Sequence, residues 1–117
     1  MPIVDVELVG DRPPGPGLAT DLADRIGAAL GAGPGSTWVR LRQLPSERYG
    51  ESGGVPEGVE PVFVHLLLAR RPQAVETVLG DVAREVATAT GRPVEHVHVV
   101  LAPDGAGRVA FGGHLVS

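Results

Sequence analysis

The chain contains no cysteine and no lysine, and its aromatic content is only 3%, with one Trp, one Tyr and two Phe. Without thiols there is no disulfide framework, no thiolate nucleophile and no thiolate metal site. The formal charge of −4 leaves no basic surface of the kind that nucleic-acid binding needs. No uninterrupted apolar run approaches the ~20 residues of a membrane span, and no charged leader precedes an apolar stretch. A cytoplasmic location with neither membrane nor nucleic acid as partner is the resulting expectation. All ten basic residues are arginine, which by itself reflects composition bias rather than anion binding. With 117 residues, 43% of them hydrophobic, the chain suits one ordered domain over 1–117 with a core of its own.

Glycine and proline, 17 and 11 in number, punctuate what is present. Ile3 to Val9 alternates as a half-charged strand, with Val4, Val6 and Leu8 on one side and Ile3, Asp5 and Glu7 on the other. A turn over Asp11 to Gly17 follows. Leu18, Leu22, Ile26 and Leu30 then give a helix one buried stripe, ended by Gly31 to Gly35. Ser36 to Leu44 reads as a second strand and Pro45 to Glu60 as an irregular loop. The plan then repeats. Val62, Val64, Leu66 and Leu68 predict a third strand, and Val75, Val78, Leu79, Val82 and Val86 a second helix. Glu95 to Ala102 predicts a fourth strand, and Arg108 to Val116 a hairpin around Gly112-Gly113. Pro2-Ile3-Val4 is answered by Pro61-Val62-Phe63, Val39-Arg40-Leu41 by Val97-His98-Val99, and Gly53-Gly54 by Gly112-Gly113. The offset of about 58–59 residues makes two pseudo-repeats, 2–60 and 61–117.

Two strand–helix–strand units imply parallel strand pairs with right-handed crossovers. The expected fold is α/β, an α+β sandwich: a four-stranded mixed sheet with two helices on one face. The other face would carry Asp5, Glu7, Arg40, Arg42, His65, His96 and His98 among Ile3, Trp38, Phe63, Leu67 and Val100. That mixture is too apolar for water and too charged for a dry core, so contact with further copies of the chain is expected there. Asp5 and Glu7 can neutralise Arg40 and Arg42. His96 and His98 share a face, but no acidic partner accompanies them, and no metal is expected.

The residues Met1-Pro2-Ile3-Val4, the duplicated unit, Arg48-Tyr49-Gly50-Glu51-Ser52-Gly53-Gly54 and Arg108-Val109-Ala110-Phe111-Gly112-Gly113 together resemble the tautomerase superfamily, the group of 4-oxalocrotonate tautomerase and macrophage migration inhibitory factor. The likeness runs along the whole chain and is similar to the trimeric branch. It implies a homotrimer acting without cofactor on a small carboxylate. Removal of Met1 would leave Pro2 with a free secondary amine, which an apolar pocket and nearby guanidinium groups would keep uncharged near neutrality. Pro2 would then act as general base in a keto-enol tautomerase. The resemblance nominates Arg70 or Arg71 to hold the substrate carboxylate, His98 to reach the site from a neighbouring subunit, and Val109 and Phe111 to line it. His98 stands where the family usually has arginine, and Val109 where it has an aromatic. Arg12 and Arg40 would face the counterpart pocket at Pro61, whose nitrogen is an amide and cannot be a base. Tyr49 and Glu51 resemble the place of a water-activating glutamate in hydrolytic dehalogenases, but belong beside Pro61. A hydratase or dehalogenase, or an inactive binding member of the same shape, are the rival readings.

Overall fold

The computed structural model describes residues 2–117; Met1, and with it the question of its removal, lies outside them. The chain folds as β1 (Ile3–Val9), α1 (Leu18–Ala29), β2 (Trp38–Leu44), β3 (Val62–Leu67), α2 (Val75–Thr90), β4 (Val97–Leu101) and a terminal hairpin of β5 (Ala110–Phe111) and β6 (His114–Leu115). The four long strands form one mixed sheet in the order β2-β1-β3-β4. β1 runs parallel to β2 and β3 parallel to β4, while the central pair β1–β3 is antiparallel, with Val6 opposite Val64. This is the expected α+β sandwich.

Alternation decides which face is the core. Val4, Val6 and Leu8 of β1 and Val62, Val64 and Leu66 of β3 are no more than 3% exposed and pack against Leu22 and Ile26 of α1 and Val82 and Val86 of α2. Truncating one of these fully buried leucines to alanine carries a cost of about 2–5 kcal/mol. The helices meet through Arg25, which donates to Asp21 on its own helix and to Glu85 on α2. The opposite sheet face is open: Trp38 is 53% exposed and Val100 47%. Arg40 forks across Asp5 there, its Nε and Nη2 donating at 2.6 and 2.9 Å. Glu7 stands opposite Arg42 in the strand register but forms no ion pair among the described residues.

Several sequence expectations are corrected. β2 begins at Trp38 rather than Ser36, and β4 begins at Val97 because Pro93 opens a single 3-10 turn over Val94–His96. His96 is therefore off the sheet, and it does not share the outer face with His98. β3 ends at Leu67, one residue short of Leu68. A second 3-10 turn, Ser46–Arg48, interrupts the irregular loop; Asp11 accepts hydrogen bonds from the backbone N–H and hydroxyl of Ser46.

The repeat also falls in a different register. Leu22 and Ile26 are matched by Val82 and Val86, and the left-handed glycines after each helix are Gly31 and Gly91, all 60 residues apart. Side chains two apart on a strand share a face, so only an even offset superposes the buried face of β1 on that of β3. At 60, Val62 rather than Pro61 occupies the place of Pro2.

Candidate active site

Pro2 is buried immediately before β1, and its carbonyl accepts the N–H of Trp38 at 3.0 Å. Its position follows from the sheet: β1 is central, so the residue before it is enclosed by the ends of β3, α1 and α2. The enclosure is a cavity of ≈ 330 Å³ lined by Pro2, Ala29, Leu30, Ala32, Leu68, Ala69, Arg70, Pro72 and Val78. All but one of those residues are apolar, and the exception is Arg70, which is also exposed to solvent. Arg70 forms no hydrogen bond or ion pair among the described residues. Antiparallel pairing of β1 with β3 sets Ile3 opposite Leu67, which carries the chain past Pro2 and delivers Arg70 to it. Arg71, the other candidate, is likewise exposed but lies outside the lining.

The remaining candidates separate into two groups. Phe111 does not line the cavity; its ring packs on Trp38 with centroids 5.1 Å apart, above the residue whose N–H binds Pro2. Val109 also stands outside the lining. It accepts from the Val116 N–H, and the same tail is bonded to the cavity wall, Gly105 and Ala106 donating to the carbonyls of Leu68 and Ala69. Within one chain the tail thus braces the wall rather than forming it.

His98, Tyr49 and Glu51 lie at the other end of the sheet. His98 is opposite Phe63 in the β3–β4 register, with ring centroids 5.4 Å apart. Tyr49 stacks on the same Phe63 at 5.9 Å and donates its hydroxyl to Glu51 Oε2 at 2.6 Å. That bond to Glu51 raises the Tyr49 pKa above the ordinary phenol value. Within one chain His98 is therefore remote from Pro2. Arg40 lines neither end: it is committed to Asp5, whose carboxyl its hydrogen bonds hold below the usual carboxylate range.

Arg12 lines a cavity at the opposite end of the sheet, together with Glu60, Arg92 and His96. The loop over 45–60 sends Gly58 and Glu60 to that cavity and none of its residues to the one at Pro2. Sequence reasoning missed the apolar wall of the Pro2 cavity, and it missed Arg92. The signal for the wall was the end of each helical stripe, Leu30 and Val78, facing the strand ends. For Arg92 the signal was its place directly after the helix-terminating Gly91. Among the described residues no three His, Asp or Glu side chains are grouped to hold a metal ion, and no helix is long and apolar enough to cross a membrane.

Comparison with known proteins bears on this geometry directly. A probable tautomerase of Lactiplantibacillus plantarum is 34% identical over 56 residues, covering 48% of this chain and 88% of that protein. The chain belongs to the tautomerase superfamily. No family model matches it. Among solved structures, a fused 4-OT described as a wild-type symmetric trimer superposes with a TM-score of 0.78 at 19% identity, covering 97% of this chain and 94% of that one. A protein named Pt0534, inactivated by 2-oxo-3-pentynoate, gives 0.76 at 18% identity over 97% and 95%. FG41 malonate semialdehyde decarboxylase inhibited by 3-bromopropiolate gives 0.69 at 16% over 94% and 88%. At those identities the structures carry the fold. The curated relative carries the tautomerase assignment, and nearly its whole length corresponds to less than half of this chain.

Proposed function

We propose that this tautomerase-superfamily chain is a cofactor-independent keto-enol tautomerase of a small 2-oxo or enol carboxylic acid, with Pro2 as general base once Met1 is removed. The observation that carries this reading is the shared cavity of Pro2 and Arg70. A free proline amine in that apolar enclosure pays a desolvation cost for its ammonium form, and the guanidinium beside it adds repulsion; both lower its pKa. The neutral amine takes the proton alpha to the carbonyl, and the electron pair moves into an enolate. Arg70 binds the substrate carboxylate and offsets the charge that develops on the enolate. The same amine, now protonated, returns the proton to a different atom. Atoms balance with no further reagent.

A water-activating reading is less favoured, since Glu51 is bonded to Tyr49 at the opposite end of the sheet. The assembly we infer is a homotrimer formed through the open sheet face. Trimers are named among the fused 4-OT relatives of the same fold, and exposed Trp38 and Val100 give that face apolar area to bury. In such an assembly His98 would enter a site from the adjacent chain.

The test is ketonisation of 2-hydroxymuconate or phenylenolpyruvate by processed protein. General acid–base catalysis contributes about 10²–10⁴-fold, so Pro2→Ala should lower kcat by at least about 100-fold. Arg70→Ala should raise KM and lower kcat/KM, while Arg71→Ala should change neither substantially. Equal rates for wild type and Pro2→Ala would remove the proposed base.

A further inference from the structure

The cavity at the opposite end of the sheet is built from the same parts as the one at Pro2. Leu8 and Leu68, Leu18 and Val78, and Arg92 and Ala32 are equivalent lining pairs, each 60 residues apart. What differs is chemistry and size. The second cavity encloses ≈ 730 Å³ against ≈ 330 Å³, and guanidinium groups stand where the first has Ala32 and Pro72. We propose that this second cavity is a non-reacting site for a small oxyanion, held by Arg12 and Arg92.

Arg92 is fixed in place. One of its terminal nitrogens, Nη1, donates to the carbonyls of Val9, Glu60 and Pro61 at 2.6, 3.0 and 3.2 Å, which sets the guanidinium plane against the cavity wall. Burial works against its charge, the Glu60 carboxylate restores part of it, and repulsion from Arg12 works against it again. Arg12 forms none of the ion pairs among the described residues. The other lining acid, Asp21, is already occupied by Arg25 at 3.0 Å. Two cations therefore face one lumen with Glu60 as their uncommitted counter-charge, and His96 completes the lining. An oxyanion between them gains charge-assisted hydrogen bonds and relieves the repulsion. The adjoining wall, Pro13-Pro14-Gly15-Pro16, has φ restrained at three of four residues, so little ordering entropy opposes binding. The proline amine proposed as base at Pro2 has no counterpart here, since the Pro61 nitrogen is an amide, so the site is assigned binding rather than that chemistry. The proposal stands independently of the role assigned to Pro2.

The test is backbone-amide NMR of the full chain, titrated separately with malonate and with inorganic phosphate at low ionic strength. Saturable shifts at Gly17, Thr90 and Gly91 are expected in wild type and in Arg70→Ala, with affinity at least tenfold weaker in Arg12→Ala. Response to malonate alone would assign a carboxylate ligand, and response to phosphate alone a phosphate one. Arg92→Lys retains the charge and loses the fork, and should weaken binding in a variant whose amide spectrum remains dispersed. Shifts that rise linearly without saturation for both probes, or that are equal in wild type and Arg12→Ala, would overturn the proposal.

Discussion

Tyr49 illustrates what a single pair of side chains does here. It is the chain's one tyrosine, so its ionisation can be followed by absorbance without interference. Because the neutral phenol donates to the Glu51 carboxylate, loss of the phenol proton breaks a hydrogen bond and sets two negative charges together. The titration midpoint is therefore above the ordinary phenol value, and Glu51→Gln should bring it down. An unchanged midpoint in that variant would mean that the hydroxyl points elsewhere. At this scale the sequence was legible in residue type and illegible in direction. Arg70 and Arg71 are identical as letters and both are exposed; only the course of the chain beyond β3 puts the first in the lining of the Pro2 cavity and leaves the second out of it. His98 illustrates the same limit, since its neighbour Phe63 is set by strand register.

The regular elements were legible because their periods are strong: two for the strands, 3.6 for the helices, with glycines closing both helices. The register between halves was not, because the two prolines suggested an alignment that the strand faces forbid. A one-residue slip exchanges the buried and open faces, and twelve fully or nearly buried apolar residues outweigh any likeness of prolines. The glycines at 31 and 91 held the correct spacing. The β1–β2 pair supports a pH prediction at this scale. Arg40's hydrogen bonds keep the folded-state pKa of Asp5 below its unfolded value. The resulting stability is present above the unfolded carboxylate range and is lost as pH falls through the lower, folded value. Chemical denaturation of wild type and Asp5→Asn across that acid limb should show the wild-type advantage shrinking as pH falls. An advantage constant with pH would mean the contact contributes no charge-dependent stability.

For the whole molecule, the two ends of one sheet hold two related cavities with different contents: a proline and one arginine in an apolar lining, and two arginines in a polar one. The repeated strand–helix–strand plan supplies the common shape, and different residues at positions such as Ala32 and Arg92 supply the difference. The open sheet face accounts for the inferred assembly. Trp38→Glu places a carboxylate on that face and should reduce the sedimenting mass from three chains towards one. If the wild-type chain sediments as a single copy, that face is not an interface of the kind inferred. Trp38 also touches Phe111 and binds the Pro2 carbonyl, so as the one tryptophan it reports on the site and the interface together.

The most direct measurement on the central proposal is ¹⁵N NMR of the Pro2 nitrogen in natively processed protein, followed with pH. A free amine titrating below the α-amino range of about 7.7–8.0 is expected, displaced downward by the apolar lining and Arg70. A pH-independent amide signal, or a midpoint at or above that range, would contradict Pro2 as a base that is neutral at physiological pH.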